Sequence, residues 1–209
     1  MFAELVEFGK RIRTGHDALK AEKCSFDIVI DGNGNFKDLI PVDVEVVSEN
    51  IIAKKGKARL LLDKAEETLG FGNNKKKHDL YLDKLNLYRD VEVLKPVFLF
   101  YQTTEGCDNA LKAYSSLDEK QRKGNLTFIL KGDDIRLVEK EEVKEAIIEY
   151  FKEEQAKFMM GQTVRCSVCG CSNYPIIDEP HGSIKMPKGQ SAGSMLVSYN
   201  EKAFESYGL

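Results

Sequence analysis

The densest chemistry in the chain is the run Cys166-Ser-Val-Cys169-Gly-Cys171. A Cys-x-x-Cys knuckle can place two thiolates on one tetrahedral zinc ion, and Gly170 after the second thiolate eases the tight turn that this needs. Cys171 and His181 are the candidates for third and fourth ligands. Zinc modules of this kind usually carry a second knuckle at a fixed distance, and this sequence has none. Two readings therefore stand. One is a zinc site built from Cys166, Cys169, Cys171 and His181. The other, favoured by the missing knuckle, is a set of reduced cysteines in a tight turn with no cofactor. Nucleophilic catalysis would need a base beside a thiol. The chain has three histidines, His16, His78 and His181, and nothing in the sequence places one next to a cysteine. Acids are abundant, but they fall on solvated helix faces such as Glu-Lys-Glu-Glu-Val-Lys-Glu at 139–145. The expectation is a protein that is not an enzyme.

Basic side chains form the second set. Lys54, Lys55, Lys57 and Arg59 make one run, and Lys75, Lys76 and Lys77 make another, preceded by Asn73 and Asn74. A third stretch, His181 to Gly193, combines Lys185, Lys188, Gln190 and Ser191 with glycines. Lysines hold phosphates, whereas Asn and Gln can read base edges. With 31 basic and 34 acidic side chains and a net charge of -3, the chain as a whole lacks a nucleic-acid signature. Any anionic partner must meet a local patch. Each basic run taken alone reads as a solvated loop, but the first two flank one short element and can converge on one face. The Gly-Asn-Gly-Asn at 32–35 reads as a plain turn, because no helix follows it to make a phosphate cradle.

Several elements must position these groups. Phe2, Leu5, Val6, Gly9 and Ile12 fall at helical spacing, which predicts a helix over 2–13. Phe26, Ile28 and Ile30 alternate with Asp27, Val29 and Asp31 before the Gly32–Asn35 turn, a hairpin signal. A short helix is expected from Asp63 to Leu69, and longer ones over 79–92, over Asn109–Leu117 and over 139–158. The last has an apolar face of Val143, Ile147, Tyr150, Phe151 and Phe158, with acids crowding its start. Val-Leu-Lys-Pro-Val-Phe-Leu-Phe at 93–100 is an apolar segment interrupted by Pro96, and Asn125–Leu130 is a strand. After Met160 the composition shifts to Cys, Gly, Ser and Pro. The fold class is α+β: helices and antiparallel hairpins in residues 1–160, then a loop-rich Cys/Gly segment over 161–209 with an extended piece at Ser194–Ser198. No apolar run approaches the roughly 18 residues of a membrane helix. The start of the chain mixes acids and bases and is not a secretory signal. Five cysteines, three of them clustered, suit a reducing cytoplasm better than a disulfide framework.

The stretch His181–Gly208 carries a resemblance. His-Gly-Ser-Ile-Lys at 181–185, the Gly/Gln/Ser/Gly loop at 189–193, Leu-Val-Ser-Tyr-Asn at 196–200 and Ala-Phe-Glu-Ser-Tyr-Gly at 203–208 resemble the large-subunit family of the type I-C (Dvulg-subtype) CRISPR surveillance complex, Cascade. Tyr199 replaces the family's Phe. Three further stretches are similar in the family's order: the hairpin at 24–42, the segment at 56–72 with Asp63 six residues before Leu69-Gly70, and Cys-Ser-Val-Cys-Gly at 166–170. Cys169 stands where that family usually has Thr, so the family pattern permits a metal without demanding one. Members of the family are longer, which is why the sequence after Gly189, keeping Met195, Leu196, Val197, Tyr199, Phe204 and Tyr207, reads like the middle of a protein. The resemblance implies a non-catalytic subunit of an antiviral defence complex that binds double-stranded target DNA and recognises the protospacer-adjacent motif to promote R-loop formation. It implies other Cascade subunits and guide RNA as partners, and no membrane. The alternative is a structural module that docks on neighbouring subunits and guide RNA, with the cysteines as a zinc-stapled contact surface.

Overall fold

The computed structural model describes residue 4 and residues 16–51, 57–72, 75–159, 163–165, 172, 174 and 175. The chain divides into two compact units. One comprises His16–Ile51 and Lys55–Tyr150, and the other comprises Met1–Gly15, Ile52–Lys54 and Phe151–Leu209. In the second, the described strands are β5 (Thr163–Val164) and β6 (Tyr174–Pro175), which pair antiparallel. The helix expected over 2–13 and the extended piece at 194–198 lie outside the described residues.

The first unit is an α+β fold around a four-stranded sheet. Its strands are β1 (Leu19–Ile30), β2 (Phe36–Glu49), β3 (Asp63–Lys64) and β4 (Asn125–Leu130), in spatial order β2-β1-β4-β3. β1 and β2 form the expected hairpin, but it runs well beyond the alternating core of 26–30. Leu19 pairs with Glu49 at its far end. A register shift between Cys24 and Phe26 places Phe26 opposite Pro41. Proline cannot donate to a ladder, so it belongs on an edge strand or at a bulge, and β2 is the edge strand. The turn is stapled by Asp31, whose Oδ1 accepts the backbone N–H groups of Asn33 and Asn35, both at 2.9 Å. Gly34 adopts φ +78°, and a Cβ there would lie 2.4 Å from the backbone nitrogen of Phe100. The turn is thus packed against the helix that contains Phe100, and only glycine fits.

β4 lies parallel to β1, so Phe26, Ile28 and Ile30 stand beside Leu126, Phe128 and Leu130. Alternation sends these side chains to one face. That face is covered by α3 (Lys95–Gln102) and α4 (Thr104–Ser115). Phe100 packs edge-on against Phe128 with ring centroids 5.3 Å apart, and Tyr114 meets Phe26 at 5.7 Å. Pro96 does not interrupt this segment. It occupies the first turn of α3, where a missing N–H costs nothing. The opposite face carries Asp27 and Thr127, both buried. There Arg136 closes over the sheet, its Nε and Nη2 each donating at 2.8 Å to the two oxygens of Asp27, and the following turn buries Leu137 and Val138.

Among the described residues, further helices are α1 (Ala65–Thr68), α2 (Lys75–Asn86) and α5 (Glu141–Met159). α1, β4 and α5 lie where the sequence predicts them. α2 starts four residues earlier than expected, inside the second basic run. Among the described residues no helix is long and apolar enough to cross a membrane.

Candidate nucleic-acid interface

The two basic runs meet different fates. In the first, Lys54 and Lys55 lie outside the described residues and Lys57 is exposed. From Ala58 the chain dives inward: Ala58, Leu60, Leu61 and Leu62 are all buried. Arg59 goes with them. Its side chain is only 9% exposed, and Nη2 donates to Glu22 Oε1 at 3.2 Å. Its backbone N–H donates to Asp63 Oδ2 at 3.1 Å. Three consecutive leucines pull this segment into the core, and a carboxylate on β1 pairs with the Nη2 end of the buried guanidinium, while its Nε has no hydrogen-bond partner among the described residues.

The second run is a helix start. Asn73 and Asn74 lie outside the described residues, and Lys75, Lys76 and Lys77 form the first turn of α2, with no acid among them. A helix N-terminus carries partial positive charge and favours anions, so three lysines there repel the dipole. Lys77 is relieved by Glu66 and Glu67 of α1. It bonds Glu66 Oε2 and lies 3.5 Å from Glu67 Oε1. The Glu66 hydrogen bond, then the Glu67 charge, push its ammonium pKa above the usual lysine value. His78 anchors the same turn, with Nδ1 2.7 Å from the Glu67 carbonyl oxygen. Lys75 and Lys76 stay exposed. The structure therefore joins the second run to the short element between the runs, while the first run sends Arg59 to β1 instead.

Lys185, Lys188, Gln190 and Ser191 lie outside the described residues, as do Cys166, Cys169, Cys171 and His181. Among the described residues no group of three or more His, Cys, Asp or Glu side chains is arranged to hold a metal ion. Cys24 and Cys107 are described, and burial pushes both thiols up to about 11. They are protonated at neutral pH and poor nucleophiles.

One group of cations has no counterpart in the sequence reading. Lys64, Arg122 and Lys123 line a groove of about 290 Å³ with Glu66, Phe71 and Tyr114. The tetrapeptide Gln121-Arg122-Lys123-Gly124, a dibasic pair against a glycine turn, is the signal that marks it. Pairing of β3 with β4 sets Lys64 opposite Asn125 and so brings distant parts of the chain together.

The pattern of the family described as CRISPR-associated protein (Cas_Csd1) matches residues 7–209. A search of curated proteins found no match to this chain.

Proposed function

The chain belongs to the CRISPR-associated Csd1 family, and on that premise we propose that it binds double-stranded target DNA and reads the short motif beside the target. Membership supports a role as a large subunit of Cascade, with other Cascade subunits as its partners. The type I-C subtype, the contact with guide RNA, the absence of catalysis and a cytoplasmic location belong to the same proposal. In RNA-guided systems the protein reads a short flanking motif and guide pairing supplies most of the specificity.

The observation that carries the DNA contact is the start of α2. Lys75 and Lys76 are exposed at a helix N-terminus with no acid in the first turn, where their charges oppose the dipole. A phosphate seated there relieves both the dipole and the lysines. Lys57, Lys54 and Lys55 extend the phosphate contacts, and Arg59 anchors that run through Glu22. Asn73, Asn74 and Gln190 are the base-edge readers, with Lys185, Lys188 and Ser191 on the backbone.

The test is Lys75→Ala/Lys76→Ala in the assembled complex, on targets with intact and mutated flanking motif at two salt concentrations. Loss of two phosphate contacts should weaken binding on both targets and lower the salt slope by about 0.9 per contact. Asn73→Ala or Gln190→Ala should cost roughly 1–3 kcal/mol on the intact motif and little on the mutated one. Unchanged affinity and slope in the lysine variant would reject the DNA contact and leave the docking-module reading.

A further inference from the structure

The groove lined by Lys64, Arg122 and Lys123 gathers cations that are not paired with carboxylates among the described residues. Lys20, Lys37, Lys77, Lys84, Lys95, Lys140 and Lys144 each lie within ion-pair distance of a carboxylate. The three groove cations have no such partner among the described residues. Arg122 instead sits over the Phe71 ring, 5.5 Å from its centroid, and Phe71 in turn meets Tyr114 edge-on at 5.2 Å. The single carboxylate in the lining, Glu66, is already bonded to Lys77.

The cations are held in place by the backbone rather than by loose loops. Asp118 starts a tight turn in which its carbonyl accepts the N–H groups of Gln121 and Arg122 at 2.8 and 3.1 Å. Gly124 ends the turn at φ +96°, and a Cβ there would come within 2.0 Å of Ser25 Oγ. The chain therefore leaves Lys123 in one direction only, straight into β4. Lys64 arrives across the β3–β4 ladder. A rigid turn and a strand pair converge three positive charges on a groove walled by the Phe71 ring, with the buried Tyr114 behind it.

We propose that this groove is a binding site for a nucleotide phosphate, with Lys64, Arg122 and Lys123 on the phosphate, Phe71 beside the sugar and base, and Tyr114 buried behind Phe71 as its support. A guanidinium with two flanking ammonium groups is phosphate chemistry. Aromatic walls with a positive rim are how proteins hold unpaired nucleotides. A groove of about 290 Å³ is of the size of a single nucleotide unit. The phosphate has two sources, a free mononucleotide or the backbone of a single strand, and the second rests on the DNA-binding reading above.

The experiment titrates the whole chain at low salt with adenosine monophosphate and, separately, with a fluorescein-labelled single-stranded oligothymidylate. The variants are Lys64→Gln/Lys123→Gln, both at exposed positions so that folding is spared, and Glu66→Gln. The double variant should bind at least about tenfold more weakly, given two lost charge-assisted contacts. On the oligonucleotide it should also reduce the salt slope by about 0.7 per contact. Glu66→Gln should tighten binding, a gain that a purely structural role for these residues would not produce. Loss on both ligands assigns the site to a terminal phosphate, and loss on the oligonucleotide alone assigns it to a backbone phosphate. Absence of binding of either ligand by the unmodified chain, or equal binding by the double variant, overturns the proposal. Duplex affinity of the complex and its salt slope report separately on Lys75 and Lys76, so either reading can fail while the other stands.

Discussion

The buried arginine pairs and the rim near β3 and α2 use charge in opposite ways. Inside, each cation has found its carboxylate: Arg136 is clamped to Asp27 through two 2.8 Å bonds, and Arg59 reaches Glu22 at 3.2 Å. At the rim, Lys64, Lys75, Lys76, Arg122 and Lys123 have no ion-pair partner among the described residues. The interior pairs hold a polar side chain where apolar packing would otherwise exclude it, and the rim leaves positive charge unspent. Removing a charge should therefore cost stability in the first region and ligand binding in the second.

The largest effect is expected at Arg136. Arg136→Ala leaves Asp27, 5% exposed, as an unpaired buried charge. Breaking such a pair on one side costs about 3–5 kcal/mol, whereas replacing both partners with apolar side chains costs much less. Urea unfolding of Arg136→Ala and of Asp27→Leu/Arg136→Leu should show that order, with the double variant the more stable of the two. Equal destabilisation would mean that the pair specifies packing rather than charge balance.

Arg59 against Lys75 and Lys76 sharpens the comparison, because all three belong to basic runs that look alike in the sequence. Arg59→Ala should lower stability by roughly 1–2 kcal/mol, less than Arg136→Ala, because Glu22 keeps Lys20 at 3.2 Å and partial exposure. Lys75→Ala/Lys76→Ala should raise stability instead, by about 0.3–1 kcal/mol per charge at low salt, since each removed charge opposed the helix dipole. The gain should shrink as salt is added. A loss of stability in the lysine variant would mean that these side chains are part of the packing and not free for a ligand.

How much of this was legible in the sequence follows from how local each signal is. The turn at Asp31–Asn35, the strand Asn125–Leu130 and the helix beginning at Glu141 are encoded within their own residues, and the structure has them. The first half of β1, Leu19–Cys24, has no apolar alternation, and its strand character comes from pairing with 44–49 of β2. β3 is two residues long and exists only because β4 lies beside it. The helical start at Lys75 was masked by its charge, since lysines at a helix N-terminus contradict the local rule and are held there by Glu66 and Glu67 from another element. Burial of Arg59 follows from Leu60, Leu61 and Leu62, an apolar run that marks the core but does not say which neighbour goes with it. The groove of Lys64, Arg122 and Lys123 depends on strand pairing across 60 residues of sequence, roughly, and no local pattern announces such a meeting.

The smallest effect is expected at the hairpin turn, where a charge is paired but lies at the surface. Lys37 Nζ is 2.8 Å from Asp31 Oδ2, and Asn35 and Asn33 donate to the same carboxyl. The Lys37 contact first, then those of Asn35, hold the Asp31 carboxyl well below the usual carboxylate range. A depressed folded-state pKa means that the ionised form favours folding. That contribution is complete above the unfolded-state value of about 3.9 and is lost as pH falls below it toward the folded-state value. Asp31→Asn should thus weaken the turn at neutral pH. As pH is lowered from about 5 to about 3, the gap between wild type and variant should narrow, because only the wild type has this charge to lose. Added salt should narrow it as well, since solvent screens a surface pair. The interior pair of Asp27 and Arg136 should respond far less to the same salt. Thermal unfolding of Asp31→Asn and wild type across that pH range, at two ionic strengths, measures both trends. A gap that stayed constant with pH would show that neither the Lys37 contact nor the Asn33 and Asn35 hydrogen bonds favour the ionised form of Asp31 in the folded protein.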